Sequence, residues 1–396
     1  MNGTTRPCSG DVDVRCDVLI AGCGPAGCAV ALALVRAGAD VVLVAPAAPG
    51  RPRVGESLAA AAGPLLEGLG VLGRVDLDAH APCYGGRAVW GGDGPVEVSS
   101  VFGPYGPGRQ LDRARFDTAL LEAAEAAGAV RRTGRIRGVE RRRDHWRLTT
   151  THTTGATGAT GTTATIGTGA AASTFAARYL VDATGRPARL ARRLGAAPAR
   201  SDRLTAVSGI LAAPAGDSRT EAEPEQTSLV EATPWGWWYT APLPDGGRVL
   251  MAMTDADLVA GARLHHRDAW WARARATGHV REYLAPWREP PPLLEVTAAG
   301  ASCTRPAAGP GWAAVGDAAT TTDPLAARGI VMALATGMEG ARAVLADHAG
   351  DGGALPAYAR RITALHEEHL RARAVQYGRE RRWDTPFWRR RHRPPG

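Results

Sequence analysis

The most apolar pattern of the chain lies in residues 17–45, DVLIAGCGPAGCAVALALVRAGADVVLVA, where polar positions are few. Residues 17–21 form a short apolar run of strand type, and an alanine, leucine and valine stretch with helical periodicity follows until Gly38. The β-branched run at 41–44 predicts a second strand. Together these elements predict a βαβ unit, the building block of a parallel sheet covered by helices.

The turn between the first strand and the helix carries Gly22, Gly24 and Gly27 in G-x-G-x-x-G spacing. The first glycine allows a sharp turn, the second lets the backbone approach a pyrophosphate, and the third lets helix and strand pack closely. Unpaired N–H groups at the helix N-terminus favour phosphates there. With Pro25 and Ala26 between the glycines, this turn predicts a dinucleotide site.

One residue of the usual dinucleotide site is missing. An Asp or Glu normally ends the second strand, roughly 20 residues after the glycine motif, and binds the ribose. Ala45 and Pro46 stand at that point here. We therefore expect the ribose contacts to come from another part of the chain.

Later segments predict further α and β elements. Residues 84–102 alternate like strands of a second sheet, and residues 110–128 predict an amphipathic helix with Asp112 as its N-cap. Residues 149–174 are almost entirely Thr, Gly and Ala, which predicts a low-complexity hairpin extension that buries little apolar surface.

The composition, 45% hydrophobic and 22% charged over 396 residues, is that of a globular protein with two or three domains. The N-terminal segment has no apolar stretch suited to a signal peptide, and no run of about 18 apolar residues occurs. We therefore expect a cytoplasmic enzyme without a membrane span. The six cysteines form neither a CxxC pair nor a Cys/His cluster, so neither a metal site nor a disulfide framework is expected.

All 47 basic residues are arginine, and the chain has no lysine. No mechanism that needs a lysine amine is therefore available. The net charge is +8, with the excess densest in RERRWDTPFWRRRHRPPG at the C-terminus. Because no nucleic-acid-binding motif accompanies this segment, we expect no nucleic-acid partner and predict that Trp383, Phe387 and Trp388 pack onto the body of the protein.

Two further segments form a set with the glycine turn: VDATG at 181–185, which ends a predicted strand, and VGDAATTTDPLAARG at 315–329. With all three, the chain resembles FAD-dependent oxidoreductases of the hydroxylase and geranylgeranyl-reductase superfamily over nearly its whole length. The resemblance adds to the glycine turn the cofactor-binding residues Arg113, Asp182, Gly185, Gly316, Asp317, Pro324 and Gly329.

In that superfamily the second segment packs beside the FAD. The resemblance implies that Asp317 binds the ribityl chain and that Gly329 begins a helix whose N-terminus faces the flavin ring, where its dipole stabilises negative charge. Arg113, in LDRARF, matches an arginine that contacts FAD. No second G-x-G-x-x-G unit lies between residues 200 and 300, so electrons are expected from NAD(P)H docking transiently or from a separate flavin reductase.

The fold class implied is α/β, an FAD-binding Rossmann-like domain of glutathione-reductase type 2 with an inserted β-sheet substrate domain and a C-terminal helical segment. The expected bounds are 1–80, 103–200 and 300–350 for the discontinuous FAD-binding domain, 81–102 and 201–299 for the substrate domain, and 351–396 for the C-terminal helical cap.

The predicted substrate domain contains the aromatic run PWGWWYTAPL. Such a run suits a flat aromatic substrate, because each ring contact contributes roughly 0.5–1.5 kcal/mol beyond burial. Trp235 and Trp237 suit a core position equally well, whereas Trp238 and Tyr239 are the stronger candidates for substrate contact. We group these two with Glu56 as catalytic candidates. The carboxylate of Glu56 suits either of two roles, as a partner of an indole N–H or as an acidic residue at a helix start.

The aromatic run and the C-terminal segment also resemble the tryptophan-halogenase-like group. Halogenases of that group depend on a lysine that carries hypohalous acid to the substrate, and this chain has none. Aligned on Pro242, their W-x-W-x-I-P signature becomes Trp237, Tyr239 and Ala241 here, and Ala327-Arg328 replaces their halide-binding Ser-Thr. The resemblance is closer to the flavin monooxygenases of the group, including maturases that hydroxylate a protein tryptophan during quinone-cofactor formation.

The function implied is an FAD-dependent monooxygenase that hydroxylates an aromatic substrate through a flavin hydroperoxide. The substrate expected is an indole or tryptophan, free, carrier-bound or within a peptide or protein. Three alternatives stay open: a flavin-dependent halogenase, which the absence of lysine disfavours, a flavin-dependent C=C reductase of geranylgeranyl-reductase type, and a non-catalytic flavoprotein.

Overall fold

The computed structural model describes residues 12–47, 55–75, 80–99, 105–151, 172–214 and 227–392. The strands are β1 (Val14–Ala21), β2 (Val41–Ala45), β3 (Ser57–Leu58), β4 (Ala81–Cys83), β5 (Gly85–Val89), β6 (Val96–Ser99), β7 (Gly108–Gln110), β8 (Val130–Thr133), β9 (Arg135–Arg141), β10 (Trp146–Thr151), β11 (Ala172–Asp182), β12 (Ala197–Arg200), β13 (Leu204–Leu211), β14 (Ser228–Thr233), β15 (Gly236–Pro242), β16 (Arg248–Asp255), β17 (Glu295–Ala298), β18 (Ser302–Arg305), β19 (Ala308–Gly309), β20 (Trp312–Ala314) and β21 (Thr320–Thr321). The helices are α1 (Pro25–Arg36), α2 (Gly63–Gly68), α3 (Leu72–Val75), α4 (Arg113–Ala126), α5 (Arg189–Arg193), α6 (Ala256–Gly261), α7 (Arg267–Arg275), α8 (Val280–Tyr283), α9 (Gly329–His348), α10 (Ala354–Gly378) and α11 (Pro386–His392).

The predicted βαβ unit forms the centre of the first sheet, which has eight strands among the described residues and the order β19-β20-β11-β1-β2-β8. The β1, β2, β8, β11 and β20 pairings are parallel, and β10 and β9 add antiparallel strands beside the first half of β11. All five residues of β2 are apolar and buried, as expected of a parallel strand covered on both faces. The α/β fold class is confirmed.

The parallel register brings three distant segments to one edge of this sheet. Ala21 at the end of β1 pairs with Asp182 at the end of β11, which in turn pairs with Ala314 at the end of β20. The loops that follow these three residues therefore leave the sheet side by side. Ligands of open α/β sheets bind at such carboxyl ends of strands.

A second sheet has seven strands among the described residues, in the order β17-β13-β16-β15-β14-β5-β6. Its strands come from residues 85–99 and 204–298. One face carries a core cluster that includes Trp238 and Trp270 and is covered by α7 and α8. The other face carries Trp237, Met251 and Met253, all of which line the cavity described below.

Helix α4 begins where the sequence predicted. The side chain of Asp112 accepts a hydrogen bond from the backbone N–H of Arg115 at 3.1 Å and caps the helix, so the N-cap prediction is confirmed. Within the predicted low-complexity segment, Thr149 of β10 pairs with Thr174 of β11. Residues 152–171 between them lie outside the described residues.

The C-terminal segment packs onto the second sheet. Phe387 and Trp388 of α11 are fully buried, which confirms the prediction that they pack onto the body. Asp255 at the end of β16 holds the segment, since its carboxylate lies 2.8 Å from a guanidinium nitrogen of Arg390 and 2.7 Å from one of Arg391.

Among the described helices, α9 alone has a length and apolar composition that would suit a membrane crossing. It packs against α1 on one side and α10 on the other, and buries residues such as Leu334, Gly337 and Val344. In this structure α9 is therefore a helix of the protein core.

Candidate active site

The glycine turn after β1 is held by close backbone contacts. Gly22 has a φ of +112°, and a Cβ on it would lie 2.2 Å from the carbonyl oxygen of Ala183. A Cβ on Gly27 would lie 2.1 Å from the carbonyl oxygen of Gly22. Glycine is therefore required at both positions. A Cβ on Gly24 would meet nothing within 4 Å, because this residue faces an open cavity.

That cavity has a volume of about 2810 Å³ and is lined by residues of both large sheets. Small-molecule sites usually measure about 300–1,000 Å³, so this one has room for a dinucleotide and a second ligand. The predicted cofactor residues that line it are Gly22, Gly24, Pro25, Ala26, Arg113, Gly185, Asp317, Pro324 and Gly329. Gly27 and Gly316 lie one layer behind, where Gly316 packs so closely on Ala26 that an added Cβ would lie 2.6 Å from the alanine Cβ.

Asp182 does not line the cavity. It is 1% exposed, and its carboxylate accepts backbone N–H bonds from Thr184 at 2.9 Å, Leu190 at 2.9 Å and Ala191 at 2.7 Å. Burial raises the pKa of Asp182, and these hydrogen bonds oppose that shift. Its side chain therefore fixes the loop and the start of α5, and the prediction that it contacts the cofactor is wrong. Neighbouring Gly185 lines the cavity instead.

Asp317 follows β20 and faces the cavity, with 40% of its side chain exposed. The Nε of Arg186 lies 3.6 Å from its carboxylate, and Arg186 is itself held by the carbonyl oxygen of Gly300 at 2.7 Å. Desolvation raises the pKa of Asp317, and the charges of Arg186 and Arg113 oppose that shift. A carboxylate at this sheet edge can accept hydrogen bonds from the hydroxyls of a ribityl chain.

The loop after Asp323 brings the N-terminus of α9 to the cavity. Asp323 is 2% exposed, and its carboxylate accepts hydrogen bonds from the backbone of Leu325 and the hydroxyl of Tyr377, each at 3.0 Å. Gly329, the first residue of the 20-residue α9, lines the cavity. The positive end of this helix dipole favours negative charge at that point, as on a reduced flavin.

The aromatic strand β15 presents consecutive side chains to opposite faces. Trp237 and Tyr239 line the cavity, whereas Trp238 points away from it and is fully buried. The Trp238 ring centroid lies 5.3 Å from that of Trp270 and 5.6 Å from that of Trp235. The prediction that Trp238 contacts the substrate is therefore wrong, and Trp237 is the tryptophan of β15 that faces the cavity.

Glu56, Ser57 and Tyr239 form a partly buried polar cluster in the cavity wall. The Tyr239 hydroxyl lies 2.7 Å from Ser57 Oγ, which donates to Gln110 Oε1 at 3.0 Å. Glu56 is 2% exposed and accepts the backbone N–H of Gly55 at 2.8 Å. Burial raises the pKa of Glu56, and burial together with the Glu56 charge raises the pKa of Tyr239 well above its ordinary value. Tyr239 is thus a neutral hydroxyl, held in place at the cavity.

Helix α10 supplies residues that the sequence did not single out. The Tyr377 hydroxyl accepts a hydrogen bond from Trp237 Nε1 at 3.0 Å and donates to Asp323, while His369 Nε2 accepts the backbone N–H of Asp323 at 2.9 Å. Burial lowers the pKa of His369 to about 4, so its ring is neutral with the proton on Nδ1. The available signal was spacing, since His369, Arg373 and Tyr377 recur every four residues on one helix face.

The tryptophan halogenase family model matches residues 95–395. The chain belongs to this family. LodB of Marinomonas mediterranea, described as an FAD-dependent oxidoreductase, is 28% identical over 380 residues, which cover 95% of this chain and 96% of LodB. A tryptophan 2-halogenase of Chondromyces crocatus is 25% identical over 350 residues, which cover 84% of this chain and 62% of that protein.

Solved structures share the fold. The myxobacterial chondrochloren halogenase CndH superposes with a TM-score of 0.82 at 23% identity, covering 96% of this chain and 86% of CndH. QhpG, a peptidyl tryptophan dihydroxylase essential for tryptophylquinone cofactor biogenesis, superposes with a TM-score of 0.71 at 25% identity, covering 96% of this chain and 80% of QhpG. The expected tryptophan-halogenase-like resemblance is confirmed, and the chain is an FAD-dependent oxidoreductase.

The residues present fit FAD. Gly24 leaves open the space into which a Cβ would project, so a pyrophosphate can approach the backbone at the start of α1. Pro25 and Gly329 place the N-termini of α1 and α9 at the same cavity, one suited to phosphates and one to a negatively charged ring. Asp317 supplies acceptors between these two points.

Proposed function

We propose that this enzyme hydroxylates the indole of a tryptophan residue carried by a peptide or protein, with FAD as cofactor and dioxygen as oxidant. One observation carries the proposal: a chain without any lysine forms a cavity wall from Glu56, Trp237 and Tyr239. Halogenases of this family depend on a lysine to carry hypohalous acid. No side chain of this protein offers that amine.

The size of the cavity supports a substrate larger than a free amino acid. About 2810 Å³ exceeds the usual small-molecule site roughly threefold, which leaves space beside a dinucleotide for several residues of a peptide. The relationship to QhpG, which acts on a peptidyl tryptophan, supports the same substrate class.

When bound, FAD supplies the activation of dioxygen. The chain's own residues bind and orient the indole. The indole ring of Trp237 is held by the hydrogen bond from its Nε1 to the Tyr377 hydroxyl. An edge-to-face or offset contact between this ring and the substrate would contribute about 0.5–1.5 kcal/mol. Glu56 accepts the indole N–H, and Tyr239, held by Ser57 next to Glu56, adds a second polar contact on the same side of the ring.

We propose that the electrons come from NAD(P)H that docks transiently or from a separate flavin reductase. This follows from the absence of a G-x-G-x-x-G unit between residues 200 and 300, where a dedicated NAD(P) domain would carry one.

The test supplies the enzyme with FAD, a flavin reductase, NADH, air and bromide together, and follows a tryptophan-containing peptide by mass spectrometry. Hydroxylation adds one or two oxygen atoms to the tryptophan, and bromination replaces a hydrogen with bromine. We expect oxygen addition with no bromine. A brominated product would contradict the proposal.

Halogenation is the second candidate, because the family model and the tryptophan 2-halogenase relative both favour it. The same bromide experiment decides between the two reactions. A C=C reductase would instead consume reduced FAD without air, so turnover in an anaerobic vessel would identify that activity.

A further inference from the structure

An arginine with an unsatisfied buried nitrogen lies in the wall of the cofactor cavity. Arg131 lies in β8 and lines the cavity. Its Nε is buried and has no hydrogen-bond partner within the part of the chain that the structure describes. Burying a charged donor without an acceptor is costly, so a ligand that brings an acceptor would relieve that cost.

Arg131 lies on the strand next to the end of β2, where the ribose-binding Asp or Glu of a dinucleotide site is missing from this chain. Strand β8 pairs in parallel with β2, so that Arg131 is opposite Leu43 and Thr133 is opposite Ala45. Ala45 and Pro46 line the same cavity, but neither side chain can accept a ribose hydroxyl. A dinucleotide whose pyrophosphate lies at the turn after β1 extends its adenosine half across the end of β2.

We propose that Arg131 binds the adenosine half of FAD and takes over the role of the missing acid. The polarity of the contact is reversed, because a carboxylate accepts hydrogen bonds from the ribose hydroxyls, whereas a guanidinium donates to ribose oxygens and adenine ring nitrogens. The assignment concerns cofactor binding alone, so it holds whether the enzyme hydroxylates or halogenates.

The test compares Arg131→Gln with Arg132→Gln, a neighbour on the same strand that is exposed and does not line the cavity. Flavin-free protein is titrated with FAD, FMN and ADP by fluorescence and calorimetry. We expect Arg131→Gln to weaken FAD and ADP about tenfold or more. FMN, which lacks the adenosine half, should bind as it does to the unaltered protein, and Arg132→Gln should change none of the three.

Two results would overturn the proposal: an unchanged FAD affinity in Arg131→Gln, or an equal weakening of FAD and FMN. Arg131→Lys, which keeps the charge but loses Nε and the planar fork, serves if the glutamine variant does not fold, and must lower the FAD to FMN affinity ratio. Glu125 lies on the α4 wall of the same cavity. If Glu125→Gln weakens the binding of FAD and ADP while Arg131→Gln does not, the ribose hydroxyls donate to α4 and the assignment to Arg131 is wrong.

Discussion

Glu56 lines the cavity although its carboxyl group is almost fully buried. At a pH above the raised Glu56 pKa, we expect Glu56→Gln to lower kcat/KM for a tryptophan peptide about 10- to 100-fold, because a charge-assisted hydrogen bond to the indole N–H becomes a neutral one. FAD affinity should stay unchanged in a flavin titration. Glu295→Gln is the matched control, since Glu295 lines the same cavity but lies on β17, away from the cluster. Equal losses in both variants would contradict the role of Glu56.

The same residue predicts a pH dependence of stability. Burial raises the folded-state pKa of Glu56 above 4.5, so between these two values the folded protein holds a proton that the unfolded chain has released. The Glu56 contribution therefore weakens folding as pH rises through that range. Glu56→Gln should gain stability relative to the unaltered protein as pH rises from 4.5 towards the raised Glu56 pKa, as urea unfolding at each pH would measure. A constant difference would show that the Glu56 pKa is not raised.

Strand β15 divides its aromatic residues between two faces. Trp237 and Trp238 are both buried, but of these two side chains Trp237 lines the cavity and Trp238 does not. Trp238→Phe should lower the free energy of unfolding by about 1–3 kcal/mol and leave kcat/KM unchanged, because it removes core volume alone. Trp237→Phe also loses its bond to Tyr377 and should lower kcat/KM. Steady-state kinetics and urea unfolding of both variants check this, and a loss of activity in Trp238→Phe would reverse the assignment.

The sequence predicted the helices, strands and turns better than it predicted the direction in which individual side chains point. The βαβ unit, the Asp112 cap and the convergence of three turns all follow from local pattern and parallel pairing. The alternating pattern of β15 allows either set of alternate side chains to face the cavity. Packing against α7, which the sequence does not reveal, determines which set does so. Likewise the VDATG motif located a loop at the cavity, but the unpaired N–H groups of α5 draw the Asp182 carboxylate inward. Tyr377 was missed because it acts through a contact with Asp323, 54 residues away.

The C-terminal segment closes one end of the second sheet. Arg391 has 9% of its side chain exposed and is paired with Asp255, which is 3% exposed. Asp255→Asn should lower the free energy of unfolding by about 3–5 kcal/mol, because it leaves a buried cation poorly compensated. Asp257→Asn is the control, since Asp257 is 41% exposed and pairs with Arg390, and we expect a change of about 0–1 kcal/mol. Similar effects in urea unfolding would contradict this account of the segment.

We propose that a flavin held by the turns after β1, β11 and β20 oxidises an indole next to Trp237 and Tyr239 with oxygen from air. The most direct measurement is turnover of a tryptophan peptide under ¹⁸O₂ in ordinary water, with bromide present and the product analysed by mass spectrometry. We expect ¹⁸O on the tryptophan and no bromine. A product without ¹⁸O, or one that carries bromine, would contradict it.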